Sequence, residues 1–301
     1  MRTVRLTVSP DLKGARYDVA IHTLLNQREN YSFSKSLVRK MIMVGATYLN
    51  GRRHSIASKA MRSGDQIKVM LQPPKAPLPD APELSADAIL YREGGLIIVN
   101  KPAFLPTVST IDNAQDNLVE RLRVLLRDKT EVKKPYIGIH HRLDRDTSGC
   151  VLFTTEESAN VGVAKLFQES LIQKHYLAIV KNNGQIPDAW QIKNQLIRSS
   201  KKKNHYESTT GEGSFAYTEF TCLKRGEKYA LIQAKPITGR THQIRVHLSE
   251  FGLPIVGDRF YGGEPASRLM LHAKFLSFRH PTLDQSVELE APMPSDFLTD
   301  L

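Results

Sequence analysis

Residues 139–153 read Ile-His-His-Arg-Leu-Asp-Arg-Asp-Thr-Ser-Gly-Cys-Val-Leu-Phe, with two histidines, two arginines and two aspartates in the seven positions from His140 to Asp146. Two more polar clusters interrupt apolar segments: Lys174-His175-Tyr176-Leu177-Ala178, and the ten residues from Thr238 to His247, Thr-Gly-Arg-Thr-His-Gln-Ile-Arg-Val-His. A carboxylate that faces arginines stays ionised, because each opposite charge favours the charged form. Such a carboxylate serves as a nucleophile or as a base. A single Asp beside an Arg can equally be an ion pair that only fixes a loop. Three polar clusters in one part of the chain weigh toward a site. Spacing alone does not choose between Asp144 and Asp146.

Other chemistries lack their residues. The chain has no Gly-x-x-x-x-Gly-Lys-Ser/Thr loop, no Gly-x-Gly-x-x-Gly turn and no His-Glu-x-x-His. A Gly-x-Ser-x-Gly elbow is missing too. His242 and His247 are five apart without an indicated third ligand, so no metal is expected. No cofactor is expected either. A glycoside-type hydrolase would want a second carboxylate as acid, and the second and third clusters contain none.

These residues need elements to hold them. Val151-Leu152-Phe153 reads as a strand leaving the first cluster, and apolar strands are expected at 176–180, 215–222, 229–234 and 271–278. Ile89-Leu90-Tyr91 and Leu96–Val99 flank Glu93-Gly94-Gly95, a hairpin signal. Leu118, Leu122, Leu125 and Leu126 mark an amphipathic helix, and residues 158–171 a second. The polar stretch 198–214, with Lys201-Lys202-Lys203, reads as an exposed loop. Strands outnumber helices and often neighbour one another. The expected class is therefore α+β, a mixed, mainly antiparallel sheet with flanking helices.

Upstream, Pro73-Pro74-Lys75-Ala76-Pro77-Leu78-Pro79-Asp80-Ala81-Pro82 holds five prolines in ten positions and cannot be helix. The expected organisation is a small α/β domain at 1–73, an extended linker at 74–87 and a larger domain at 88–301. In the first domain, Tyr17, Ile21, Leu24 and Leu25 have helical spacing. Ser34 can cap a second helix, striped by Leu37, Val38, Met41 and Ile42 and stopped near Gly45. Lys35, Arg39 and Lys40 lie on its other face. A strand at 46–49, a tight Asn50-Gly51 turn carrying Arg52 and Arg53 beyond it, and a strand at 66–70 follow.

The net charge is +11, and residues 1–80 hold 14 Lys/Arg against 5 Asp/Glu, a balance of +9. A basic module on a near-neutral body grips a polyanion, or is simply a solvated surface; the concentration of charge favours nucleic acid. No stretch is apolar enough to span a membrane and Met1–Leu6 has no signal core. Cys150 and Cys222 alone cannot form a disulfide framework. The expectation is a cytoplasmic monomer with an RNA partner and no membrane.

Residues 34–51 resemble the α-L RNA-binding domain first described in a small-subunit ribosomal protein, through Ser34, Ser36, Ile42, Gly45 and Leu49-Asn50-Gly51, with Arg16-Tyr17-Asp18 where Arg-Leu-Asp is usual. Residues 88–290 resemble the RluA-type RNA pseudouridine synthases more closely. The matching runs are His141–Gly149, Val99-Asn100-Lys101-Pro102-Ala103, Lys174-x-Tyr176-x-Ala178, Ala216-x-Thr218-x-Phe220 and Pro236–Leu248, then Gly252–Gly262, Leu271-His272-Ala273 and His280-Pro281. Phe104 departs from the pattern, in which Gly usually follows Lys-Pro-Ala.

The resemblance implies roles. Asp144 is the catalytic aspartate, attacking the target uridine's sugar or assisting proton removal from it, so that the glycosidic bond breaks and the uracil rejoins through carbon. Tyr176 packs on the base and takes part in proton handling. Arg245 pairs with Asp144, and Arg142 fills the gap left by the flipped uridine. Asp146 reads as a turn residue with Thr147 and Ser148, and His141 and His242 as structural hydrogen-bonders. Large-subunit ribosomal RNA is the expected target, with transfer RNA the alternative. A non-catalytic RNA-binding or ribosome-assembly factor is the competing reading, to which the joint presence of Asp144, Tyr176 and Arg245 is opposed.

Overall fold

The structure is a computed structural model that describes residues 2–28, 33–43, 45–71, 83–108, 116–127, 135–200, 202 and 204–297. These fall into two compact units, one formed by residues 2–71 and one by residues 83–108 with 117–297. The proline-rich run, Lys201 and Lys203 lie outside the described residues.

The first unit contains β1 (Arg2–Thr7), α1 (Tyr17–Arg28), α2 (Lys35–Met43), β2 (Thr47–Leu49), β3 (Arg52–Arg53) and β4 (Gln66–Leu71). The strands form an antiparallel sheet in the order β1-β4-β2-β3. Alternation along β1 and β4 sends Val4, Leu6, Ile67 and Val69 to one face, where they bury Tyr17, Ile21 and Leu25 of α1 with Val38 and Ile42 of α2. The Leu37 amide donates to Ser34 Oγ at 3.2 Å, the expected cap. Asn50 and Gly51 both have positive φ, 48° and 83°, as a two-residue hairpin of the mirror-image type requires. Lys35, Arg39, Arg52 and Arg53 are exposed and Lys40 is half-buried. Arg39 also pairs with the buried Asp18 at 2.7 Å, so part of its role is to hold α2 to α1. Arg16 first, and Arg39 with it, hold the Asp18 carboxyl down to about 2.

The second unit has β5 (Ile89–Glu93), β6 (Leu96–Lys101), α3 (Leu118–Arg127), β7 (Gly138–Ile139), β8 (Ser148–Thr154), α4 (Asn160–Gln168), β9 (Gln173–Lys181), β10 (Ala189–Arg198), β11 (Tyr206–Thr209), β12 (Ser214–Arg225), β13 (Tyr229–Pro236), α5 (Gln243–Glu250), β14 (Leu271–Arg279) and β15 (Ser286–Glu290). The sheet runs β11-β10-β12-β13-β9-β14-β8-β6-β5, with β15 on β14 and β7 on β8. Every pairing is antiparallel except β14 with β8. The α+β class with a mixed, mainly antiparallel sheet is therefore as expected.

One local reading needs correction, and one element was not foreseen. The stretch 198–214 is not only loop: Tyr206–Thr209 pairs with Gln195–Arg198 as an edge strand. The third polar cluster contains a helix, α5, that the residue pattern does not announce. Ile244, Val246 and Leu248 alternate as in a strand, yet all six residues from Gln243 to Leu248 are buried, because the helix is covered on every side.

Candidate active site

Asp144 lies in the turn that enters β8. The Thr147 amide donates to the Asp144 carbonyl at 3.2 Å, so Arg145 and Asp146 occupy the turn's centre. Arg145 and Asp146 pair through two hydrogen bonds of 2.7 and 3.0 Å. Asp146 is thus the turn residue expected, and Asp144 is left with its carboxylate 20% exposed. The turn is fixed from below by Lys101 at the end of β6. Its fully buried ammonium donates to the carbonyls of Pro102, Leu105 and Arg145 at 2.8, 2.8 and 3.0 Å. Burial pulls the Lys101 ammonium down to about 7 against the opposing charges of Asp146 and Asp144.

The parallel pairing of β8 with β14 sets the depth of this turn. Gly149 has φ +114°, and a Cβ there would lie 2.2 Å from the Ala273 carbonyl oxygen. Ser148 Oγ accepts from buried Arg268 at 2.6 Å and therefore gives its proton to His272 Nδ1 at 2.8 Å.

Arg245 comes from α5, which packs against β12 and β13. Its Nη1 donates to Asp144 Oδ2 at 2.9 Å. Its Nε and Nη2 clamp Asp258 at 2.7 and 2.8 Å, and that carboxylate is wholly buried. Burial alone would lower the Arg245 pKa, but the hydrogen bond to Asp258 and the charges of Asp144 and Asp258 raise it. Asp258 is itself held by the amides of Phe260 and Tyr261. Gly257 before it has φ +80° and sits where a Cβ would meet the Arg268 carbonyl at 1.8 Å.

Tyr176 stands on β9, which flanks β14 opposite β8, and registers with Ala273 and Ala234. Burial, and secondarily the charge of Asp144, push its phenol well above the ordinary range. It is a hydroxyl at neutral pH.

His242 does more than its expected role. It begins α5 in a left-handed conformation, φ 58° and ψ 16°, an uncommon state for a non-glycine residue. Tyr261 Oη accepts from the Tyr206 amide at 3.0 Å and donates its proton to His242 Nδ1 at 2.8 Å. The ring proton then sits on Nε2, which faces Asp144 Oδ2 at 3.6 Å. Burial lowers the His242 pKa and outweighs the pull of Asp144, so the ring is neutral. It is both a structural hydrogen-bonder and a neighbour of the carboxylate. His141 fits its expected role: it accepts the Leu152 amide proton at 2.8 Å, and burial holds it down to about 3.

Arg142 is exposed beside this group, with no hydrogen-bond or ion-pair partner among the described residues. Asp144, Tyr176, Arg245 and Arg142 thus belong to one neighbourhood, with Lys101, His242, Asp258 and Tyr261 added. Each of these four lay in a quoted sequence run, but nothing in the spacing marked it. The arrangement offers an accessible carboxylate, held by one arginine and faced by a neutral imidazole N–H and a protonated phenol. Lys35, Arg39, Lys40, Arg52 and Arg53 belong to the other unit.

Residues 95–250 match the model of the RNA pseudouridylate synthase family. The chain is 31% identical to ribosomal large subunit pseudouridine synthase D of Neisseria meningitidis serogroup A, over 97% of this chain and 79% of that protein. It is also 31% identical to ribosomal large subunit pseudouridine synthase C of Vibrio vulnificus, over 95% and 91%. Among solved structures, human RNA pseudouridylate synthase domain containing 4 superposes with a TM-score of 0.58 at 26% identity, covering 70% of this chain and 90% of that one.

Proposed function

The chain belongs to the RNA pseudouridylate synthase family and is an isomerase acting on RNA; from that premise we propose that it converts uridines of large-subunit ribosomal RNA to pseudouridine at Asp144. The relatives named for the large subunit support this target over transfer RNA. The observation that carries the site is the 2.9 Å contact between buried Arg245 and the accessible Asp144 carboxylate, with Arg245 locked in turn by Asp258.

A stacked uridine hides its glycosidic bond, so it must leave the helix, at a cost of a few kcal/mol. Arg142, exposed at the mouth of the site, fills the gap. Asp144 then attacks the ribose or assists loss of its proton, and the bond from C1′ to N1 breaks. Arg245 orients the carboxylate through this step. The freed uracil turns against Tyr176 and its C5 bonds to C1′, which releases Asp144 from the ribose or returns the ribose proton it took; the proton lost from C5 is matched by the one N1 takes up. Atoms balance within one nucleotide, with no external reactant.

The first unit would act as an α-L type RNA-binding domain on residues 1–73, joined through 74–87 to the catalytic domain at 88–301. Lys35, Lys40, Arg52 and Arg53, with Arg39 half-committed to Asp18, would meet phosphates. The enzyme would work as a cytoplasmic monomer; among the described residues no helix is long and apolar enough to cross a membrane.

The test is carbodiimide primer-extension mapping of RNA from cells lacking the chain, complemented with wild type, Asp144→Ala or Asp144→Asn. Wild type should restore the mark on large-subunit RNA and both variants should not; restoration by Asp144→Ala overturns the assignment, and a mark on transfer RNA alone overturns the target. Deleting residues 1–75 should weaken RNA binding and flatten its dependence on salt, because phosphate contacts release counterions. An unchanged salt slope would remove the RNA-gripping role from that unit.

A further inference from the structure

A cavity of about 290 Å³ lies between β11, α5 and the loop after Asp258, and none of the roles above uses it. Its walls include Lys202, His205, Tyr206, Glu250, Phe260 and Tyr261. His205 stacks on Tyr261 with ring centroids 4.4 Å apart at 28°. Tyr206 meets His242 edge-on at 5.6 Å. Phe260 is 49% exposed, and its ring lies 6.3 Å from that of His242 and 5.5 Å from the Arg245 guanidinium. The cavity is continuous in structure with the catalytic group: Tyr261 is bonded to His242, and His242 faces Asp144 at 3.6 Å.

The wall chemistry narrows the occupant. A bare phosphate would meet the Glu250 carboxylate. A purely apolar group would make no use of Lys202 or Glu250. A nucleobase has apolar faces for Phe260 and His205, and an edge with both donors and acceptors for Lys202 and Glu250. Such a base is available, because flipping one uridine strips its neighbour of a stacking partner. We propose that this cavity takes a second unstacked nucleobase of the RNA substrate, one that adjoins the target uridine. The proposal rests on the assignment of Asp144 as the place where that uridine goes. It gives Lys202, part of a stretch read from sequence as an exposed loop with RNA contact as one alternative, a place at a base-binding wall.

The test uses the full-length chain carrying Asp144→Asn, so that binding is read without turnover. The probe is a synthetic RNA stem–loop centred on the mapped uridine, with a series in which one neighbouring base at a time is replaced by an abasic ribose. One abasic position should weaken binding by roughly tenfold, the scale of a lost base–aromatic stack. Adding His205→Ala with Phe260→Ala should cost about tenfold on intact RNA and nothing more on that abasic RNA. Phe260→Tyr with His205→Phe keeps both ring planes and should bind as the parent does, which separates lost stacking from misfolding. If every abasic RNA is weakened equally in both proteins, or if the double alanine chain binds intact RNA as tightly as its parent, the proposal is overturned. Pseudouridine formation by the wild-type chain is read separately on the intact RNA. Its absence would remove the catalytic assignment, while the binding cycle still decides the cavity.

Discussion

Arg245 bonds two carboxylates at once, and only a guanidinium has the fixed fork of donors to do so. Its clamp on Asp258 sets the direction of the remaining Nη1, which reaches Asp144. The pairing of Asp144 with Arg245 was legible from the sequence through resemblance, although the two lie 101 positions apart. Asp258 stood in a recognised run without a role, because a bidentate contact between residues 13 apart leaves no mark on spacing or periodicity. Phe104 carries a more local lesson. It departs from a pattern that usually has glycine, and its φ is +67°. A side chain in that region costs about 1–2 kcal/mol. Phe104→Gly should therefore be more stable than Phe104→Ala, by about 1 kcal/mol in urea unfolding, the reverse of the usual order. Both variants lose the ring, so the comparison isolates the backbone. An alanine chain as stable as the glycine chain would show that the φ carries no strain.

At the scale of elements, the strands expected at 176–180, 215–222, 229–234 and 271–278 all form, each between one and four residues longer than its apolar run. Helix α5 was not legible, because a helix buried all round has no polar stripe to set a period. What holds it is a hydrogen-bond staple rather than amphipathicity. Buried Gln243 donates to the Tyr217 carbonyl and Thr218 Oγ1, both at 2.9 Å, and accepts from Thr238 Oγ1 and the Arg240 amide at 2.8 and 2.9 Å. Thr218 passes its own proton to His247 Nδ1 at 2.9 Å, and His247 Nε2 donates to Asn194 Oδ1 at 2.9 Å. The staple ties α5 to β12 and β10, and so places Arg245 two residues on. Gln243→Leu keeps the volume roughly and removes four hydrogen bonds, which should lower stability by about 2–3 kcal/mol in urea titration. Pseudouridine formation should fall with it, at a temperature where the variant is still folded.

For the whole molecule, the uneven charge was plain in the sequence, but the pH response was not, because it depends on which histidines are buried. His247 and His272 are both fully buried, and burial holds each down to about 4. The unfolded chain protonates them near 6.5. Below that pH the unfolded state binds more protons, so the stability present above about 6.5 is lost as pH falls toward 4. Each histidine should cost on the order of 2 kcal/mol by pH 5. Thermal melts across that range should show a steep fall, and His247→Gln should make it shallower; a flat profile in the wild type would count against neutral burial. The parallel pair of β8 with β14 has a consequence for biosynthesis. It joins His272 to Ser148, 124 positions earlier, and the Arg268–Ser148 bond spans 120. Contacts of such long sequence separation close late. During translation the turn that carries Asp144 would leave the ribosome long before β14, the strand that fixes it, has been made. The nascent chain would therefore carry its first unit complete well before it could modify any RNA.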